Sequence, residues 1–143
     1  MAEFRIVNDY AHPIDKVWRA LTDPALIPRW TAEGLGARPV GFATTVGTKF
    51  QYVAKPQRFW RGIIDCEVLA SAPPAMLRYS WVGEVGEPPT FVTYRLAPHG
   101  GGTRFTYEHT GFTGIAGFFV LRALRRARHK MLDVGMPALL ATL

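Results

Sequence analysis

The sequence predicts an α+β domain in which a curved antiparallel sheet wraps round a long C-terminal helix, with two short helices after the first strand. Three observations carry this. Gly114 to Leu143 keeps a helical period to the end of the chain. From Arg38 to Glu108 the period is two, broken by turn residues at short intervals. Ahead of both, a short alternating run is followed by helix-start signals at Pro13 and Asp23.

The C-terminal helix is the element the others are read against. At 3.6 residues per turn, Val120, Leu124, Ala127, Met131, Val134 and Ala138 share one face, with Leu121, Leu132 and Leu139 on its flank. Arg122, Arg125, Arg126, His129, Lys130 and Asp133 fall opposite. Such segregation describes a helix lying on a core with its back to water. Because most helical stability comes from tertiary packing, this helix needs a groove.

The rest follows in chain order. Phe4, Ile6 and Asn8 alternate as a half-buried strand that His12-Pro13 stops. Pro13 suits the first position of a helix, where its missing N–H is no loss, and Asp15 complements the helix dipole. Ile14, Val17, Trp18 and Leu21 keep the i, i+3, i+4, i+7 spacing of an amphipathic helix. Asp23 is the candidate N-cap of a second helix, which Pro28 keeps short and which ends near Trp30. Glu33 to Ala37 reads as a loop. Alternating runs then centre on Val40 and Phe42, Phe50 and Tyr52, Ile64 to Val68, Leu77 to Trp81, Val92 to Leu96, and Phe105 to His109. The glycines of Pro98-His99-Gly100-Gly101-Gly102 supply the positive φ angles of a tight hairpin. Short turns between consecutive strands imply an antiparallel meander. No repeat or linker interrupts the chain, so residues 1–143 read as one domain.

Composition bounds the function. Hydrophobic residues make up 48% of the 143 positions and aromatics 13%, enough to build a core and line a cavity. The formal charge is +6, yet the basic residues cluster only between Arg122 and Lys130, on one helix face. A solvated face is the simpler reading, so no nucleic-acid partner is expected. Cys66 is the single cysteine, so no intrachain disulfide can form and a reducing, cytoplasmic home is expected. The N-terminal stretch lacks the pattern of a signal peptide. Arg122, Arg125 and Arg126 interrupt the most apolar helix, so no stable membrane insertion is expected.

Particular strings carry a family resemblance. They are Pro13-Ile14-Asp15-Lys16-Val17-Trp18-Arg19-Ala20-Leu21-Thr22-Asp23-Pro24 with Trp30, then Leu77-Arg78-Tyr79-Ser80-Trp81, then Gly102-Thr103 through His109 with Gly111-Phe112. On these the chain resembles the START/Bet v-allergen-like (SRPBCC) superfamily. Within it the likeness is to small bacterial homologues of the C-terminal domain of the heat-shock-protein-90 ATPase activator. The resemblance implies a helix-grip fold with a cavity between sheet and helix. Members of the group often place a Trp in the middle of the C-terminal helix, where this chain has Arg128 or His129, so an entirely apolar groove is not implied.

By parity, the strand face turned to the helix carries Phe50, Tyr52, Ile64, Cys66, Val68, Leu77, Tyr79, Trp81, Val92, Tyr94, Leu96, Phe105, Tyr107 and His109. Apolar walls with a few polar groups are what small-molecule sites usually look like. The expected ligand-binding set is Phe50, Tyr52, Ile64, Tyr79, Trp81, Val92, Tyr94, Phe105, Tyr107 and His109, closed by Leu124, Arg128 and Met131 of the helix. The expected openings are Glu33 to Ala37, Lys55 to Trp60 and Gly83 to Pro89.

His109 is the one candidate for acid–base chemistry, with Tyr94 or Tyr107 to orient it. The same parity sends Asp65, Glu67 and Glu108 outward, which leaves no interior carboxylate to pair with it. His12, His99, His109 and His129 show no ligand spacing, so no metal is expected. No Walker loop, GxSxG string or dinucleotide fingerprint occurs, and no cofactor is expected. The expected function is non-catalytic binding of a hydrophobic or aromatic small molecule or lipid. The alternatives are a polyketide-cyclase-like enzyme using His109 and the cavity tyrosines, and a chaperone-associated interaction module. A homo-oligomer is compatible with each.

Overall fold

Alternating apolar residues and short turns produce one continuous sheet, seen in a computed structural model that describes residues 2–31 and 37–143. The strands are β1 (Ala2–Tyr10), β2 (Arg38–Val40), β3 (Lys49–Val53), β4 (Ile63–Ala72), β5 (Met76–Val82), β6 (Thr90–His99) and β7 (Gly102–Phe112). Their spatial order is β1-β7-β6-β5-β4-β3-β2, and every neighbouring pair is antiparallel. The six strands after the first two helices therefore form a meander, and β1 closes its far edge beside β7. The β6–β7 hairpin turns on Gly100 and Gly101, whose φ angles of +55° and +81° are open to glycine at no steric cost. The loop expected at positions 33–36 lies outside the described residues.

Helix α1 (Ile14–Thr22) packs Val17, Ala20 and Leu21 against the sheet. Pro13 sits one position earlier than expected, as the extended residue that caps α1, because its own φ and ψ of −63° and 153° lie outside the helix. The Asp23 carboxylate accepts from the Ala25 N–H at 2.9 Å and opens the turn into α2 (Ile27–Thr31). Buried Trp30 anchors α2 by donating its indole N–H to the Ala20 carbonyl at 2.8 Å.

The C-terminal helix departs from regularity. It consists of α3 (Gly114–Lys130), a π-helical turn (Met131–Gly135) and α4 (Met136–Leu140) without a break. Pro137 explains the wide turn. In an unbroken α-helix its ring would press on the Asp133 carbonyl, which would also lack a donor. Instead the Met136 N–H reaches back five residues to the Met131 carbonyl. In that register the Leu132 carbonyl faces Pro137, which has no N–H, and the Tyr10 hydroxyl of β1 donates to it at 2.7 Å. Gly135 lets the turn pass α2 closely: a Cβ there would lie 2.6 Å from the Trp30 carbonyl oxygen.

These features correct the helix phase read from the sequence. The buried positions are Leu121, Arg128, Leu132, Met136, Leu139 and Leu140, with Leu124 and Met131 half-buried. Val120 and Val134, placed by hydropathy on the packed face, are 50% and 56% exposed, and Ala127 and Ala138 also face outward. The run 128, 132, 136, 140 would drift by about 40° at each step of a regular α-helix. The wide π turn removes most of that drift and keeps all four against the core. Arg122, Arg125, Arg126, Lys130 and Asp133 are exposed as expected. Among the described residues no helix is long and apolar enough to cross a membrane.

The observed phase predicts unequal costs for two neighbouring truncations. Leu132→Ala should lose about 2–5 kcal/mol of unfolding free energy, and Val134→Ala should stay within about 0.5 kcal/mol of wild type. Urea denaturation measures both. Equal losses would restore the regular phase.

Candidate functional site

The strand register builds the site. Tyr79 of β5 lies opposite Val92 of β6, and Val92 lies opposite His109 of β7. One row along, Leu77, Tyr94 and Tyr107 face one another in the same way. Since side chains alternate across a strand, these rows share the concave face with Phe50 and Tyr52 of β3, Ile64 and Cys66 of β4, and Trp81 of β5. Tyr79, Val92, Phe105, Tyr107 and His109 have no solvent exposure, and Phe50, Tyr52, Ile64 and Tyr94 are also buried. Trp81, Leu124 and Met131 are half-buried and lie against this cluster. The expected inward set is therefore brought together, and the helix lies over it.

The wall is a network of ring contacts. Tyr52, Tyr79 and Phe50 meet within 5.4 to 6.3 Å, and Tyr79 meets Tyr94 edge to face at 5.7 Å. The Tyr79 and Tyr94 hydroxyls share a hydrogen bond of 3.1 Å. Burial raises the pKa of all four tyrosines, Tyr52, Tyr79, Tyr94 and Tyr107, so they stay neutral near pH 7.

Arg128 enters this wall from the helix. It is 7% exposed, and its guanidinium lies 5.4 Å from the ring centres of both Trp81 and Tyr107. Val92, a small side chain, lies between those two rings in the register. The guanidinium makes one hydrogen bond among the described residues, from Nη1 to the Met131 sulfur at 3.5 Å. It has no ion pair among them. Burial works against its charge, but the oxygens of Tyr107, Tyr79, Tyr94 and Tyr52 raise its pKa above the usual arginine value. A guanidinium has five N–H donors, and burying one without an anion costs several kcal/mol. Sequence reasoning left Arg128 and His129 open for this position. Arg128 points in, while His129 faces Asp133 at 3.2 Å on the outer side.

His109 sits beside Arg128. Its Nε2 is 2.7 Å from the Thr90 hydroxyl, and its ring lies among Phe112 at 4.6 Å, Trp81 at 5.3 Å and Phe4 at 5.6 Å. Burial first, and the Arg128 charge second, push its pKa down to about 3. The imidazole is neutral at physiological pH. Its Nδ1 and the Tyr107 hydroxyl are both buried without a hydrogen-bond partner. Buried polar atoms are nearly always paired, so two orphans in one wall are notable.

Carboxylates stand elsewhere. Asp65 meets Arg61 at 2.7 Å and Gln51 at 2.8 Å, and Glu108 lies 3.6 Å from Arg5, on the opposite face of the sheet. A hollow of about 620 Å³ borders Gln51, Asp65, Glu67 and Ser80. A second, of about 450 Å³, lies among Arg122, Arg125, Arg126 and His129. Neither is lined by Arg128, Tyr107 or His109, which are closed off beneath the helix. Among the described residues, no group of three His, Cys, Asp or Glu side chains is placed to hold a metal ion. Sequence reasoning missed Thr90 and Phe4. Thr90 has the same parity as Val92 and could have been read from it. Phe4 required the pairing of β1 with β7, which places it opposite His109.

Comparisons with known proteins agree with this architecture. The sequence model of the family described as Activator of Hsp90 ATPase homolog 1-like protein matches residues 11–117. The match ends before Arg128. Protein MLL2253 from Mesorhizobium loti is 28% identical with a TM-score of 0.82, over 99% of this chain and 98% of that one. CalU16 from Micromonospora echinospora is 26% identical with a TM-score of 0.67, over 98% of this chain and 82% of that one. Protein Ms6760 from Mycobacterium smegmatis, at 22% identity and a TM-score of 0.81 over 98% and 91%, shares the fold. No curated protein matches the chain.

The buried imidazole has a measurable consequence. The unfolded chain binds a proton at His109 near pH 6.5, whereas the folded chain does so only near 3. Between those values protons favour unfolding, so the stability attached to neutral His109 is complete above about pH 6.5 and is lost as pH falls towards 3. The slope approaches about 1.4 kcal/mol per pH unit. His109→Gln should lose visibly less stability than wild type between pH 7 and pH 5 in parallel thermal melts. Identical losses would show that His109 takes up its proton in the folded state.

Proposed function

We propose that this chain, which belongs to the Activator of Hsp90 ATPase homolog 1-like family, binds a hydrophobic or aromatic small molecule between the sheet and α3, without catalysis. The observation that carries this reading is the pair of orphaned polar atoms, the Tyr107 hydroxyl and His109 Nδ1, in an otherwise aromatic wall. A ligand with a polar group would satisfy them while its body packs on Trp81, Tyr79 and Val92. Apolar surroundings with few directing groups suit binding. Half-buried Trp81, Leu124 and Met131 mark the side of the site nearest water, so a ligand would enter there by displacing α3 or the neighbouring Gly83 to Pro89 connection from the closed wall.

Catalysis of the cyclase type is disfavoured by the state of His109. With its pKa near 3 it is a weak base, and no described carboxylate is near to strengthen it. Lipid is retained as one form of hydrophobic ligand. A second reading, an interaction module, rests on Ile115, Phe118, Phe119 and Val120, which stand 49% to 80% exposed at the start of α3.

The neutral fluorescent probe N-phenyl-1-naphthylamine tests the site. It should bind saturably, one per chain, with a rise in probe emission and a fall in tryptophan emission. Trp81→Ala should weaken it about tenfold, while Phe119→Ala should leave it unchanged. Absence of saturable binding, or loss through Phe119→Ala instead, would favour the interaction module.

A further inference from the structure

The charge of Arg128 says more about the ligand. Within the closed wall the guanidinium lies over Trp81 and Tyr107 at 5.4 Å from each ring centre, with Met131 Sδ as its hydrogen-bond acceptor among the described residues. The groups facing it from every side are uncharged: four buried tyrosines, a neutral histidine and a buried thiol. The described carboxylates that form ion pairs do so with Arg5, Arg19, Arg61, His99, Arg104 and His129, never with Arg128. Solvating a cation by ring faces leaves most of its N–H donors unused, since cation–π attraction acts through the face of the ring. Those donors form a planar fork matched to a carboxylate. Beside them, the orphaned Tyr107 hydroxyl is a neutral donor, suited to a second bond to the same anion.

We infer that the molecule bound here is a monocarboxylate with an aromatic or branched hydrophobic body, its carboxylate paired with Arg128 and hydrogen-bonded by Tyr107. This rests on the ligand-binding reading above and names the ligand's class. One guanidinium beside a neutral histidine balances one negative charge. A phosphate, with close to two, would carry an excess into an apolar site. The aromatic body follows from Tyr52, which meets Tyr79 at 6.3 Å and Trp81 at 6.1 Å along the wall.

The test compares three naphthalene probes of one shape at pH 7.5: 2-naphthoate, the neutral 2-naphthamide and 2-naphthyl phosphate. Each is titrated by calorimetry into wild type and into Arg128→Met, Arg128→Lys and Tyr107→Phe. Wild type should bind naphthoate at least tenfold more tightly than the amide or the phosphate. Arg128→Met should erase that preference and keep its binding of N-phenyl-1-naphthylamine, and Arg128→Lys should retain part of the preference. Tyr107→Phe should weaken naphthoate several-fold and the amide less. In the ligand-free state Arg128→Met should melt at or above the wild-type temperature, because it removes an unpaired buried charge. A merely structural arginine would instead give a large drop in melting temperature. Naphthoate binding no better than the amide, or a preference that survives Arg128→Met, overturns the inference. Failure of the neutral probe in wild type speaks against the site reading itself, and so the two failures are distinguishable.

Discussion

Arg128 carries a full positive charge into the space between the sheet and the C-terminal helix, and the arrangement around it has to accommodate that charge. Water is largely excluded, and no described carboxylate reaches it. What remains is the polarisable faces of Trp81 and Tyr107 at 5.4 Å and the soft sulfur of Met131. Each is a weak substitute for hydration. The same charge presses on its neighbours: it helps hold His109 neutral, although burial is the larger cause. A core built only for stability would do better with an apolar side chain of similar volume.

The helix that delivers Arg128 is positioned by contacts beyond its own turn. Pro137 forces the π turn, the π turn leaves the Leu132 carbonyl without a helical donor, and Tyr10 from β1 supplies one. Gly135 then allows the helix to pass against the Trp30 carbonyl, while the Trp30 indole is tied to α1 through Ala20. Strand β1, both short helices and the C-terminal helix are thereby linked through specific hydrogen bonds and one close backbone approach. Packing of this kind fixes which residue faces inward far more strictly than hydrophobicity alone, since interiors are close-packed and tolerate little misfit.

The aromatic wall contributes to stability and is the surface on which the proposed ligand would rest. Its rings bury a large apolar area and interlock edge to face, an arrangement worth more than area alone. Its hydroxyls are only partly used: Tyr79 and Tyr94 bond to each other, while Tyr107 lies beside the Arg128 guanidinium without a well-formed hydrogen bond. Among the described residues, two of the three buried side-chain polar atoms without a partner, the Tyr107 hydroxyl and His109 Nδ1, lie beside Arg128 under the helix, and the third, Asn8 Oδ1, lies on β1 near Asp133. Membership in the Activator of Hsp90 ATPase homolog 1-like family rests on residues 11–117, which include this wall but not Arg128. The strands that carry the wall lie within the matched residues, and Arg128 lies beyond them.

Much of the architecture was legible in the residues. The period-two runs, the Gly100-Gly101 turn and the signals at Pro13 and Asp23 are local, and local backbone preference is expressed wherever the segment lies. Strand parity likewise placed Tyr79, Val92, Tyr107 and His109 on one face, because a strand has only two faces and the apolar residues chose between them. A helix offers no such binary choice. Val120 and Val134 invited one phase, and the true phase, shifted by about one residue, brings in Arg128, which hydropathy alone would place in water. Reading the helix as regular passed over Pro137, whose effect also depends on Tyr10 and Trp30, which are distant in sequence. The sequence by itself therefore determined the elements, their order and the composition of the wall, all consequences of short-range periodicity. Only the tertiary structure decided that Arg128 rather than His129 lies against that wall, because burial of a charge is set by long-range packing that outweighs the local preference for solvent.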